Sequence, residues 1–214
     1  MEADSVSSVI SLDGISISNS GFSNQGLNDL GGVIYSTGTV IIDNSNFSGN
    51  VGGLGGVLYM EGGSLSISNT TFSTNSGLKG GVLYARDGTT IDSFNNQYIN
   101  NFTISNGFGG VFSLQYTVSY TDDSSTYNGN FSEGNAGVFY TYHNVGVLTP
   151  NEISISNAIF EDNGTNIQTF TSGKGGVFYV DSRSTVTVTD SEFIDNESGG
   201  GGVFWVIDAD DAVT

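Results

Sequence analysis

The sequence predicts an all-β chain wound into a solenoid of about seven coils, each about 25 residues long, on three observations. First, one phrase keeps returning: GGVIYSTGTVIIDNSNFSGN at 31–50, GGVLYMEGGSLSISNTTFSTN at 55–75 and GGVFYVDSRSTVTVTDSEFIDN at 175–196. Second, the composition holds 32 Gly, one Pro, no Cys and only four basic residues, while Val, Ile, Phe, Tyr and Thr favour strands. Third, apolar and polar residues alternate in short runs between Gly and Asn, with no long 3.6-residue periodicity that would build helical repeats. A repeat of this length cannot bury its apolar face alone, so copies must stack. Propeller blades need about 40 residues or more, which leaves one coil per repeat.

The Gly-Gly-Val phrase opens each coil, at Gly31, Gly55, Gly80, Gly109, Ala136 (as AGVFY), Gly175 and Gly201, with spacings of 24, 25, 29, 27, 39 and 26 residues. Strand parity points Ile34, Leu58, Leu83, Phe112, Phe139, Phe178 and Phe204 inward, followed two residues on by Ser36, Met60, Ala85, Leu114, Thr141, Val180 and Val206. The opposite parity carries an outward aromatic row: Tyr35, Tyr59, Tyr84, Tyr140, Tyr179 and Trp205, interrupted at Ser113. Such a row either stabilises the sheet by self-stacking or offers rings to sugars and protein partners.

The second strand of each coil points Ile15/Ile17, Val40/Ile42, Leu65/Ile67 and Val186/Val188 inward, and its Ser and Thr residues outward. The Phe of Phe-x-x-Asn then completes the core, with Tyr98 and Tyr127 in its place along the degenerate stretch 91–135. Stacking like on like predicts two ladders, one of Asn44, Asn69, Asn157 and Asp190 and one of Asn50, Asn75, Asn163 and Asn196. Carboxamides about 4.8 Å apart hydrogen-bond along such an axis. The Gly pairs supply corners with positive φ and a close approach between coils.

These phrases resemble the GGA-I and F-x-x-N repeats of the chlamydial polymorphic outer-membrane proteins and of pectin-lyase-like surface proteins. The likeness runs from about residue 15 to 205, with Val in place of the usual Ala. It implies a right-handed parallel β-helix and an extracellular or cell-surface location, as an adhesin or passenger segment.

A net charge of −18 argues against nucleic acid and anionic surfaces as partners, and no apolar run reaches the length of a membrane helix. Half of the acidic residues fall between Glu152 and Asp211. Enzymes of this fold cluster aspartates, a His and basic groups; here Asp122, Asp123, His143, Arg86 and Arg183 are scattered, so no catalytic residue is expected. No metal and no cofactor are expected either, since the DADD run at 208–211 lacks a calcium-loop pattern. The Ser/Thr row lacks the strict Thr-x-Thr repetition of ice-binding faces. Of six Asn-x-Ser/Thr sequons, Asn46 and Asn130 precede aromatics and are expected to point outward as glycan acceptors.

The whole chain, 1–214, is expected to form one β-helix domain with loop excursions near 141–152 and 164–174. Neither terminal segment resembles a capping helix, so self-association through uncapped ends is expected, as a filament subunit or as a slice of a longer solenoid. The reading is a non-enzymatic extracellular structural or adhesive β-helix, with glycans or other surface proteins as further partners. The alternative is a carbohydrate-binding or carbohydrate-cleaving one.

Overall fold

The structure is a computed structural model, described for residues 9–18, 31–143, 149–165, 173–181 and 183–207. It is an all-β parallel solenoid of about six turns, close to the seven expected, with no helix among the described residues. Three sheets of seven strands form its walls. The Gly-Gly sheet holds Ile34–Ser36, Leu58–Glu61, Leu83–Arg86, Phe112–Gln115, Phe139–Tyr142, Phe178–Val180 and Phe204–Val206. The long sheet holds Val9–Asp13, Thr39–Asp43, Ser64–Ser68, Thr90–Phe94, Ser119–Asp123, Asn151–Ser156 and Ser184–Thr189. The Phe sheet holds Ser16–Ser18, Asn46–Ser48, Thr71–Ser73, Gln97–Ile99, Thr126–Asn128, Ile159–Glu161 and Glu192–Ile194. A short fourth sheet, Ser76–Lys79, Phe102–Phe108, Phe131–Ser132 and Gly164–Thr165, closes the circuit. Every pairing joins successive coils in parallel, such as Leu83 with Leu58 and Phe112, with a register shift between Thr103 and Phe108 in the fourth sheet.

Register converts the repeat into columns. Phe47, Phe72, Tyr98, Tyr127, Phe160 and Phe193 stack with centroids 5.2, 5.3, 4.9, 4.6 and 4.9 Å apart. Phe112, Phe139, Phe178 and Phe204 form a second stack at 4.8, 5.1 and 4.8 Å. The stacks meet edge-on or tilted, as where Tyr98 meets Phe112 edge-on at 5.1 Å. Both Tyr98 and Tyr127 are fully buried, so the degenerate coils are as regular inside as the others.

Three corners explain the polar letters of the phrase. Between the long and Phe sheets, Gly14, Asn44, Asn69, Asn95, Ser124, Asn157 and Asp190 all take positive φ, from 47° to 64°. A short Asx side chain tolerates that left-handed conformation better than most. After the Phe, Gly49, Thr74, Asn100, Gly129, Asp162 and Asp195 do the same, immediately before the residue that turns inward. At the Gly-Gly corner the second glycine has no room for a side chain: a Cβ on Gly81 would lie 2.1 Å from the Gly110 carbonyl oxygen, and one on Gly56 1.9 Å from that of Gly81. Coil-to-coil contact, more than conformational freedom, demands Gly there.

Two expectations need correction. In the first coil Ile10 and Leu12, not Ile15 and Ile17, fill the long-sheet columns beside Val40 and Ile42, and Ile17 pairs with Phe47. The stretch VISLDGISIS contains the apolar alternation twice, and Gly14 at φ 62° makes its corner without an Asn. Of the stretches expected as loop excursions, 141–142 and 151–152 belong to strands, as do 164–165. Residues 144–148, 166–172 and the acidic run at 208–211 lie outside the described residues.

Candidate functional site

The outward aromatic row on the Gly-Gly sheet is the most organised surface feature. Tyr35, Tyr59 and Tyr84 stack nearly parallel with centroids 5.2 and 5.1 Å apart, and Tyr140 stacks on Tyr179 at 5.1 Å. The break at Ser113 is bridged by polar groups: the Tyr84 hydroxyl donates to Gln115 Oε1 at 3.0 Å, and Gln115 Nε2 donates to Ser113 Oγ at 3.3 Å. Phe108, from the strand before, stacks on Tyr140 at 4.8 Å.

The row is not an open face. Tyr59 and Tyr84 are only 4% and 3% exposed, whereas Tyr35 is 46% exposed. Parity correctly turns these rings away from the core, but it does not say what lies over them. Residues just before a Gly pair lie against the rings in three coils: Lys79 at Tyr84, Phe108 on Tyr140, and Gly200, whose added Cβ would lie 3.1 Å from the Trp205 ring. Burial accordingly pushes the Tyr84 and Tyr140 phenols well above the ordinary tyrosine range.

Three of the four basic residues are set against aromatic rings. Lys79 lies 5.7 Å from the Tyr84 centroid, Arg86 5.4 Å from Tyr116 and Lys174 4.5 Å from Trp205. Arg86 also pairs with Asp87 and lies 4.0 Å from Glu61, whose Oε2 accepts from the Tyr35 hydroxyl at 3.0 Å. Tyr142, 38% exposed, meets Tyr116 edge-on at 5.7 Å. Tyr116 and Thr117 hold φ of 60° and 70°, an uncommon state for a β-branched residue, and Thr117 Oγ1 donates to the Thr149 carbonyl at 3.2 Å.

The groups weighed for catalysis are not brought together. Asp122 and Asp123 are strand neighbours, so they point to opposite sides of the wall. Asp123 faces outward and accepts from Asn157 Nδ2 at 2.7 Å and from Ser156 and Ser124, which holds its carboxyl below the ordinary range. Asp122 is a buried core residue, 4% exposed. His143 is also buried: its amide donates to Asp181 at 3.0 Å, and its ring Nε2 donates to the Thr149 carbonyl at 2.7 Å. Arg183 precedes the Ser184–Thr189 strand, and its carbonyl accepts from the Asn151 amide.

The two Asn rows differ in kind. Asn50, Asn75, Asn163 and Asn196 belong to a buried ladder in which, from Asn75 onward, each Oδ1 accepts both the side-chain and the backbone N–H of the Asn one coil earlier, at 2.9–3.1 Å. Each Nδ2 of Asn75, Asn101, Asn130, Asn163 and Asn196 also donates to a carbonyl of the Phe column, as Asn101 does to Phe72. Asn44, Asn69, Asn157 and Asp190 sit instead at the exposed left-handed corner, where Asn69 and Asn157 donate to the carboxylates of Asp43 and Asp123.

Asn130 is the clear correction. It was expected outward as a glycan acceptor, yet it is fully buried as a ladder member, with Asn101 beside it. Both were legible, because Tyr98-x-x-Asn101 and Tyr127-x-x-Asn130 keep the Phe-x-x-Asn spacing once Tyr is read as Phe. The sequon there is a by-product of packing: the ladder Asn is followed two residues later by a buried hydroxyl, Thr103 or Ser132, and these bond each other at 3.0 Å. Asn46 is exposed on the outer face of the Phe sheet. No metal-binding group of three or more His, Cys, Asp or Glu occurs among the described residues. No protein-family model, no curated protein and no solved structure matches the chain.

Proposed function

We propose that this chain is a non-enzymatic structural solenoid, working outside the cell or at its surface, that continues end to end through further coils or subunits. One observation carries the reading: in the last described coil the core columns are apolar and the Asn ladder is still intact. That coil leaves Phe204 and Val206 41% and 65% exposed, with Val186, Val188 and Phe193 only partly covered. At the other end Ile10, Leu12 and Ile17, the first residues of the same columns, are likewise only partly buried. A further coil laid in register would cover apolar side chains and satisfy both strand edges.

The test is sedimentation and negative-stain electron microscopy of the purified chain across a dilution series. Rods that lengthen with concentration, and shorten when Val206→Lys is introduced, are expected. Monomeric rods at every concentration, unchanged by that substitution, would overturn end-to-end assembly of this chain.

A second reading, carbohydrate recognition by a pectin-lyase-like wall, rests on Tyr116, Tyr142 and Arg86 beside the strained Tyr116–Thr117 corner. Rings with a nearby guanidinium suit a sugar face. Oligosaccharide titration followed by protein fluorescence, with Tyr142→Ala as the control, tests it.

A further inference from the structure

The inner wall of the long sheet is apolar in most coils, but in the middle ones it turns polar. The column Leu12, Ile42, Ile67, Ser93, Asp122, Ile155 and Val188 holds one carboxyl, deep in the core. Asp122 Oδ1 accepts from Ser125 Oγ at 2.6 Å, and Oδ2 accepts from the Tyr127 hydroxyl at 2.9 Å. Since Tyr127 donates to the carboxyl, the 2.8 Å contact between the Tyr120 and Tyr127 hydroxyls has Tyr120 as donor. Ser93, the register partner of Asp122, accepts from Asn96 Nδ2 at 2.9 Å and lies 3.4 Å from the Tyr98 hydroxyl. Tyr98, Tyr120 and Tyr127 are fully buried, and Phe112 and Phe139 of the Gly-Gly sheet pack on Tyr120.

The Asp122 carboxyl is therefore held by hydroxyl donors, with no cationic donor among its hydrogen bonds. The ionisable groups around it are three phenols, held neutral by burial, and Asp123 on the far side of the same strand, which opposes a second negative charge. A buried carboxylate without a cation is costly, and a proton removes that cost.

We propose that Asp122, Tyr127 and Tyr120 form an internal proton-binding site that couples the packing of the middle coils to pH. With the proton bound, the core holds a neutral acid. When the proton leaves, the charge remains in the apolar interior and the coils built on residues 90–128 lose stability. Burial is the largest effect on the carboxyl and pushes it above the ordinary aspartate range, against the opposing bonds from Ser125, Ser93 and Tyr127. For a carboxyl raised in the folded state, the stabilisation is present below the unfolded value and is lost as pH rises through the folded one.

Two measurements test this together. Carbon NMR of the wild-type Asp122 carboxyl should show titration above the ordinary aspartate range. Thermal melts of wild type and Asp122→Asn should give midpoints whose difference grows in favour of the variant as pH rises from acid to neutral, by about 3 °C or more. Each pH unit of upward displacement corresponds to about tenfold in the folded-to-unfolded ratio. A carboxyl titrating at or below the ordinary range would overturn the proposal, and so would a midpoint difference independent of pH. The NMR measurement stands even if the variant does not fold.

Discussion

Asn101 shows what one side chain contributes in this architecture. It accepts from Asn75 twice and donates to the Phe72 carbonyl and to Asn130 Oδ1, all away from water. Asn101→Ala strands several buried polar groups at once, so denaturant unfolding should report a loss of about 3 kcal/mol or more. Exposed Asn46→Gln, also in a sequon, should change stability by about 0.5 kcal/mol or less. The glycines divide in the same way. Gly81→Ala drives a methyl into the Gly110 carbonyl at 2.1 Å and into the Phe102 backbone at 2.8 Å, and should abolish the cooperative melt. Gly88→Ala has open space and only an unfavourable φ of 83°, so its cost should stay at about 1–2 kcal/mol.

At the scale of the sheet, the aromatic row acts first as a stacking device. Tyr59 lies between two rings and is nearly buried, while Tyr35 ends the described row with one neighbour. Tyr59→Ala should therefore cost about 3–5 kcal/mol in a denaturant melt. Tyr35→Ala should cost less than half as much. Equal losses would mean that exposure does not govern the energetics of this row. The Gly-Gly-Val-apolar-Tyr letters made the row legible. They did not show that its middle is covered, because the covering segment lies in Gly-rich connections with no alternation to read. In the first coil the alternation occurs twice in ten residues, and only pairing with Thr39–Asp43 decides which copy enters the long sheet.

For the whole molecule, charge works against assembly. Copies at −18 repel, and salt screens that repulsion, so end-to-end association should strengthen with ionic strength; sedimentation at two salt concentrations checks this. Acid acts on two sets of groups with opposite signs. Asp43 and Asp123 are held below the ordinary range by side-chain donors, Ser68 first for the one and Asn157 first for the other. Their contribution is present above the unfolded value and is lost as pH falls through the folded one. Asp43→Asn should thus flatten the acid side of the melting curve, whereas Asp122→Asn acts on the rising-pH side.

The coil length, the inward columns and the Phe-x-x-Asn ladder could be read from the letters, because strand alternation is local and stacked copies must match position by position. Cover over Tyr59 and Tyr84 and the entry of Asp122 into the core could not. Each depends on which residues of another coil, 24 to 39 positions away, stand beside it. A degenerate coil carries too little periodicity to announce its register. Contact with its regular neighbours imposes it.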